Sequence, residues 1–118
     1  MIFAAIDSLN RRLDRVNVEQ LDWRRCLALY DSPNTFFFLD PPYTECQVKQ
    51  PLLLWKAEDI RTLRERLKSL QGRWLLTIND RKEHRELFRG CKIRPLVRLR
   101  GINRKTTVTK YRELIVSS

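Results

Sequence analysis

The stretch Thr35-Phe36-Phe37-Phe38-Leu39-Asp40-Pro41-Pro42-Tyr43 contains three of the five phenylalanines in the chain. Aromatic residues are enriched in strands, so the run predicts a short, buried β-strand. The strand must end at the two prolines, because proline has no N–H to donate to a sheet. It therefore places Asp40 and Tyr43 at its carboxyl end, where open α/β sheets hold their ligand sites.

Length and charge limit the class of protein. The chain has 118 residues, of which 42% are hydrophobic and 32% charged, which predicts one small domain with a core. Its net charge of +10 favours a polyanionic partner such as nucleic acid, and the alternative is a solvated basic surface. The apolar runs are too short to span a bilayer and no signal-peptide pattern is present. We therefore expect no membrane association and a cytoplasmic location.

The cysteines and the histidine argue against several kinds of site. Cys26, Cys46 and Cys91 are odd in number and widely spaced, so they fit neither a disulfide framework nor a zinc ligand set. We expect no metal and a reducing compartment. A Ser-His-Asp or Cys-His mechanism would depend entirely on His84, the only histidine.

Hydrophobic periodicity predicts alternating helices and strands on both sides of the aromatic stretch. Before it, we predict an amphipathic helix over residues 4–15, a short strand over 16–21 and a second helix with Asp22 as its N-cap. After it, the clearest helix carries an apolar stripe and has Gly72 as its C′ residue. The stripe consists of Ile60, Leu63, Leu67 and Leu70. A strand over 74–78 and a short helix over 82–89 follow.

From Cys91 onward the hydrophobic period changes from helical spacing to two, which is typical of strands. Residues 91–100 and 107–117 therefore predict an antiparallel hairpin, with a basic loop over 101–106 at its tip. The preceding alternation of strands and helices indicates a parallel sheet flanked by helices. The whole pattern predicts a single α/β domain over residues 1–118.

The segment from Asp40 to Tyr43 resembles the catalytic signature of the Dam-like adenine-specific DNA methyltransferases. Leu75-Leu76-Thr77-Ile78-Asn79-Asp80 is similar to a later strand of that family, which ends near the target base and would place Asn79 there. Glu113-Leu114-Ile115-Val116 resembles a run near the end of these enzymes. The segments from Asn10 to Asp22 and from Tyr30 to Pro33 resemble those that lead into the catalytic strand. The resemblance covers most of the chain and implies a partial Rossmann-like methyltransferase sheet.

The resemblance also implies a reaction. S-adenosylmethionine would donate a methyl group to the exocyclic amine of adenine in DNA. Asp40 and the backbone carbonyl of Pro41 would accept hydrogen bonds from that amine and localise its lone pair for attack. Pro42 would help to fix the backbone, and Tyr43 would stack on a base flipped from the duplex.

Further site residues follow from the same resemblance. Asp22 would join Asp40 in contacting the cofactor, and a plain helix N-cap remains an equal alternative for Asp22. Several basic residues near the hairpin would contact DNA phosphates, which positions nucleic acid without reading its sequence. These residues are Arg98, Arg100, Arg104, Lys105 and Lys110.

One part of the family pattern has no counterpart. The family begins with a Phe-x-Gly-x-Gly loop that holds the methionine end of the cofactor, whereas Gly72, Gly90 and Gly101 all follow Tyr43. The resemblance therefore implies the carboxyl-terminal, catalytic half of a methyltransferase. In the family sheet, the strand matching residues 16–21 is separated from the catalytic strand by two strands that are missing here. We thus expect an exposed sheet edge, used by a separate amino-terminal half or by self-association.

Two alternatives remain open at this point. The chain could be a nucleic-acid-binding module or an inactive methyltransferase remnant, which the missing glycine loop favours. It could also methylate the exocyclic amine of cytosine. Related cytosine enzymes often carry Ser in place of the first acid of the signature, so Asp40 favours adenine.

Overall fold

A computed structural model of the protein describes residues 2–42, 55–100 and 109–118. Helices and strands alternate along the described chain, as the sequence predicts for an α/β protein. The elements are α1 (Ile2–Leu13), α2 (Trp23–Tyr30), β1 (Phe36–Leu39), α3 (Ala57–Lys68), β2 (Arg73–Asn79), α4 (Lys82–Leu87), β3 (Lys92–Arg100) and β4 (Thr109–Ser117).

The described strands form one sheet of four strands in the order β1-β2-β4-β3. β1 and β2 are parallel, whereas β4 is antiparallel to both β2 and β3. It follows that β3 runs in the same direction as β1 and β2, with β4 reversed between them. The predicted antiparallel hairpin is confirmed. The predicted parallel sheet is confirmed only for the β1–β2 pair, because β4 lies between the other parallel strands and makes the sheet mixed.

The hydrophobic core lies on one face of this sheet. The buried side chains of α2, α3 and α4 pack together with alternate residues of the strands, as period-two burial requires. The core consists of Leu27, Phe37, Ile60, Leu63, Leu67, Trp74, Leu76, Ile78, Phe88, Leu114 and Val116. The apolar stripe of α3, predicted from its helical spacing, is thus the part of that helix that contacts the sheet.

β1 is an edge strand of the described sheet and is mostly exposed, which corrects the prediction that it is buried. Only Phe37 is buried, while the side chains of Phe36 and Phe38 are 58% and 65% exposed. They lie on the face of the sheet opposite the core, and no strand among the described residues pairs with the outer edge of β1. The aromatic residues therefore predicted the strand correctly, but they did not predict its position at the edge of the described sheet.

Residues 16–21 form no strand, which contradicts the prediction for this segment. The side chains of Val16 and Val18 are 51% and 91% exposed. β-branched residues favour strands, but a strand is stable only when its backbone groups pair with a neighbouring strand. This segment pairs with no described strand.

Helix α1 is amphipathic as predicted, yet none of its residues is buried. Ile2, Ile6, Leu9 and Leu13 recur at helical spacing and are each about half or more exposed, at 74%, 54%, 55% and 48%. An amphipathic stripe normally packs against a core. Within the described residues, the stripe of α1 has no such contact.

The starts of β1 and β2 are held together by Asp31. Its carboxylate accepts the backbone N–H groups of Gln71 and Gly72 at 3.0 and 2.9 Å. Gly72 is not the C′ residue of α3, because that helix ends at Lys68 with Ser69 as its C-cap. A side chain at Gly72 would instead meet the Thr35 carbonyl oxygen, which lies 2.8 Å from the position of a Cβ atom. The glycine therefore permits the close approach of the two strand starts.

The β3–β4 hairpin is longer than β2. Residues 113–117 of β4 pair with β2, whereas residues 109–112 pair only with β3. Asn79, at the carboxyl end of β2, lies opposite Glu113. The hairpin therefore projects beyond the edge of the sheet at which β1 and β2 end.

Replacing Leu76 by Ala should destabilise the fold strongly, since Leu76 is fully buried between the sheet and its helices. Removing a buried Leu side chain costs about 2–5 kcal/mol. The matched change Leu29→Ala, at a position 62% exposed on α2, should cost less than about 0.5 kcal/mol. Urea unfolding monitored by circular dichroism measures both, and equal midpoints for the two variants would contradict the assigned core.

Candidate functional site at the carboxyl ends of β1 and β2

The carboxyl ends of the parallel strands bring Asp40 beside Thr77. Leu39 is registered with Leu76, so the next residue of each strand lies side by side. The Thr77 hydroxyl donates a hydrogen bond to Asp40 Oδ1 at 2.6 Å. Asp40 is exposed, and it is thus a carboxylate that faces solvent with one oxygen held by the neighbouring strand.

A cavity of about 750 Å³ lies next to Asp40. Residues of α2, β1 and α3 line it, together with Pro41 and Pro42, the two prolines that end the strand. Ligand pockets commonly have volumes of roughly 300–1,000 Å³ and mostly apolar walls with a few polar groups. The cavity can therefore accept a nucleoside-sized molecule, with Asp22, Asp40 and Asp59 as its acidic groups.

Two tryptophans form an aromatic wall of the cavity. The ring centroids of Trp23 and Trp55 are 5.5 Å apart, with the ring planes at 54°. The guanidinium of Arg24 lies 4.4 Å from the centroid of the Trp23 ring, a cation–π distance. The site predicted from the sequence includes neither tryptophan. Apolar spacing alone cannot reveal a pair of rings 32 positions apart in the chain.

Arg24 also joins two of the acids. It donates to Asp59 Oδ1 at 2.6 Å and lies 3.3 Å from Asp22 Oδ2. Asp59 in turn accepts the backbone N–H of Lys56 at the start of α3. That backbone hydrogen bond, together with the Arg24 guanidinium, lowers the pKa of the Asp59 carboxyl from its ordinary value. Asp59 therefore belongs to the framework of the cavity as a charged group.

Asp22 is the N-cap of α2. Its carboxylate accepts the backbone N–H of Arg24 at 2.9 Å. The side chain also lines the cavity and is 58% exposed. The capping alternative is confirmed for Asp22, and its contact with a cofactor stays a prediction.

Asn79 ends β2 close to the same edge of the sheet. Its side-chain Oδ1 is buried and has no hydrogen-bond partner among the described residues. Its backbone oxygen lies 2.9 Å from Nδ1 of His84. His84 is only 5% exposed and does not line the cavity, so its contact with Asn79 ties α4 to the end of β2.

The basic residues predicted to contact DNA are only partly described. Arg98 lies on β3 and pairs with Glu113 at 3.0 Å, with its side chain 65% exposed. Directly opposed residues of a hairpin share a face. Because Arg98 lies opposite Tyr111 and Lys110 opposite Leu99, the exposed Lys110 is on the other face. Tyr43, Arg104, Lys105 and the Arg100 side chain lie outside the described residues.

The chemistry of the described residues bears on three other kinds of site, those built on metal ligands, membrane-spanning helices and thiols. Across residues 2–42, 55–100 and 109–118, no group of three or more His, Cys, Asp or Glu side chains is placed to hold a metal ion. The helices of this part of the chain include none with the length and apolar character needed to cross a membrane. Cys26 and Cys91 are free thiols. No protein-family model matches the chain, and no curated protein matches its sequence.

Asp59 should make stability depend on pH at the acid end. Its folded-state pKa lies below the ordinary value of 3.8. Its stabilising effect is therefore fully present above that value and is lost as the pH falls through the lower folded-state pKa. Near neutral pH, we expect the native protein to unfold at a higher urea concentration than Asp59→Asn. This difference in midpoint should disappear as the pH falls below 3.8 and through the folded-state pKa of Asp59.

Glu65→Gln is the control for this measurement. Glu65 pairs with Lys68 at 2.7 Å, but both side chains are more than half exposed, and such surface pairs contribute little to stability. Its unfolding midpoints should follow those of the native protein at every pH. A midpoint difference for Asp59→Asn that stays constant through the acid range would contradict the assigned pairing.

Proposed function

We propose that this chain is the catalytic half of a DNA methyltransferase that transfers the methyl group of S-adenosylmethionine to the exocyclic amine of adenine. The observation that carries the proposal is the arrangement of Asp40, Pro41 and Pro42 at the carboxyl end of β1, on the wall of a nucleoside-sized cavity. This is the position expected for a ligand site in an α/β sheet.

The reaction requires little from the protein besides positioning. The lone pair of an exocyclic amine is delocalised into the base ring, so the amine is a weak nucleophile. Asp40 and the Pro41 carbonyl would each accept one hydrogen of the amine, which favours a lone pair directed at the donor methyl. The gain comes from orientation and from fixed acceptors where positive charge develops on the amine. Tyr43 would stack on the flipped base.

The cavity would hold the nucleoside end of the cofactor. S-adenosylmethionine supplies an activated methyl group on a positively charged sulfur. The aromatic wall of Trp23 and Trp55 offers a stacking surface for the adenine ring, and Asp22 offers an acceptor at its edge. For the methionine end, the described glycines supply nothing, since Gly72 packs against Thr35 and Gly90 follows α4 with a φ of 92°.

We also propose that the sheet is part of a larger Rossmann-like methyltransferase sheet. The parallel β1–β2 pair, the reversed β4 and the coverage of one face by helices are compatible with such a sheet. The free edge of β1 and the exposed stripe of α1 offer surfaces for the remainder. The partner would be an amino-terminal methyltransferase half, and self-association through the same edge is the alternative.

The hairpin would contact the phosphate backbone of DNA. It projects past the sheet edge that carries Asp40, and it bears the exposed Arg98 and Lys110. The net charge of +10 favours the same partner. These features also fit a second candidate function, that of a nucleic-acid-binding remnant without turnover. The lack of a site for the methionine end of the cofactor among the described residues favours this second candidate.

Replacing Asp40 by Ala should separate these candidates. With an amino-terminal Dam-like half supplied in trans, we expect transfer of labelled methyl groups to DNA to fall by roughly 10²–10³-fold, the usual cost of a lost transition-state contact. Asp14→Ala removes another exposed carboxylate, away from the cavity, and should leave transfer unchanged. Methylation that is unaffected by Asp40→Ala, or absent from the native protein in this assay, would support the remnant. Mass spectrometry of the product nucleosides distinguishes methyladenine from methylcytosine.

Replacing Phe38 by Pro should weaken strand addition at β1. The Thr35 carbonyl accepts the N–H of Arg73, so the backbone groups of Thr35 face β2. Successive residues of a strand direct their backbone groups to opposite edges, and the N–H of Phe38, three residues later, therefore points to the edge of β1 without a described neighbour. Proline removes that donor without removing a bond to β2. We expect affinity for the amino-terminal half to fall by roughly 2–10-fold, the equivalent of one hydrogen bond.

Phe38→Val is the matched control, because it removes the aromatic ring but keeps the N–H. Sedimentation velocity with the labelled amino-terminal half compares the two variants, and urea unfolding checks that both chains are folded. Equal affinities for Phe38→Pro and Phe38→Val would rule out pairing at this edge. A concentration-dependent mass of the native protein alone would assign the edge to self-association.

A further inference from the structure

The orientation of the Asp40 carboxylate is not set by its own backbone. Pro41 and Pro42 restrict the chain after it, but the side chain is exposed and can rotate about its χ1 bond. Among the described side chains, Thr77 holds this carboxylate: its Oγ1 donates a hydrogen bond to Asp40 at 2.6 Å. Within the described part of the chain, Thr77 is therefore the side chain that orients the two oxygens of Asp40.

The Thr77 hydroxyl has a single proton and two oxygens within reach. Its oxygen lies 2.6 Å from Asp40 Oδ1 and 3.5 Å from the backbone oxygen of Leu39. A hydroxyl donates one hydrogen bond, and a charged acceptor at the shorter distance is much preferred. The proton is thus directed to Oδ1, which leaves Oδ2 to accept from another group.

We propose that Thr77 is a positioning residue for the reaction. By occupying Oδ1, it holds the carboxylate in one rotamer and reserves Oδ2 for the amine of the target base. This inference rests on the proposed methyltransferase function, because the hydrogen that Oδ2 would accept belongs to the substrate of that reaction. Thr77 is not among the residues that line the cavity, so it would act on the reaction through Asp40.

The location of Thr77 suits this role. It lies in the interior of the sheet on β2, which pairs with β1 on one side and with β4 on the other, opposite Ile115. A β-branched side chain on a strand has restricted χ1 freedom. The hydroxyl is therefore held by a rigid element and transfers that rigidity to Asp40, which follows the edge strand.

The test uses Thr77→Val, which keeps the shape and removes the hydroxyl, and Thr77→Ser, which keeps the hydroxyl. Three-bond couplings between the α and β protons of Asp40, measured by nuclear magnetic resonance, report its χ1 rotamers. We expect one rotamer in the native protein and in Thr77→Ser, and rotamer averaging in Thr77→Val. Thr62→Val removes a hydroxyl that donates to Glu58 on α3 and should leave the Asp40 couplings unchanged.

Methyl transfer with the complementing half gives the second measurement. We expect Thr77→Val to lower kcat by roughly 10–100-fold, the equivalent of one hydrogen bond to a charged group, with KM for DNA and cofactor unchanged. Thr77→Ser should recover most of kcat. An unchanged kcat in Thr77→Val, or Asp40 couplings that do not change, would overturn the positioning role.

The two measurements keep this inference separate from the proposed function. If Asp40→Ala retains full methylation, the proposed function fails, and the reservation of Oδ2 for a base fails with it. If Asp40→Ala is inactive and Thr77→Val is as active as the native protein, only the role of Thr77 fails. A loss of kcat in Thr77→Val that Thr77→Ser does not recover would also overturn it, since a general packing defect would then explain the loss.

Discussion

The parallel pairing of β1 with β2 is the constraint on which the candidate site depends. The Asp31 carboxylate binds the N–H groups of Gln71 and Gly72, and Arg73 donates to Thr35, so the two strands start in a fixed register. That register places Asp40 beside Thr77 on one face and Phe37 in the core on the other. A slip of one residue would exchange the faces and direct the carboxylate into the core. The contacts at the amino ends of the strands therefore fix the geometry at their carboxyl ends.

Among the described strands, the same pairing leaves one edge of β1 without a neighbour. Phe36 and Phe38 are exposed beside it, and the apolar stripe of α1 is exposed as well. Proteins usually cover or charge such edges, because unpaired backbone groups invite another strand. β1 carries no charged residue within Phe36–Leu39, so its sequence does not protect the edge. These surfaces are what the proposed amino-terminal half would cover.

Local patterns in the sequence predicted local structure well. The apolar stripe from Ile60 to Leu67 correctly predicted α3. The two prolines predicted the end of β1, and Asp22 predicted the N-cap of α2. The errors arose where structure depends on distant neighbours. Residues 16–21 have strand-forming side chains but pair with no described strand. The phenylalanines of β1 predicted a strand but did not indicate that this strand lies at an edge of the described sheet. The Trp23–Trp55 wall and the Thr77–Asp40 bond join distant segments, so only the fold could reveal them.

The charges of the molecule are divided in a way that suits the proposed reaction. Three carboxylates line the cavity, against one guanidinium among the described lining residues. Arg24 is bonded to Asp22 and Asp59, which leaves the charge of Asp40 without a cationic partner among those lining groups. The described lining groups thus carry a net negative charge, which favours a positively charged donor over phosphate, although the chain as a whole is strongly basic. Arg98 and Lys110 lie on the part of the hairpin beyond the sheet edge, where a DNA backbone could bind without entering the cavity. The fold can thus separate attraction for the polyanion from attraction for a cationic methyl donor.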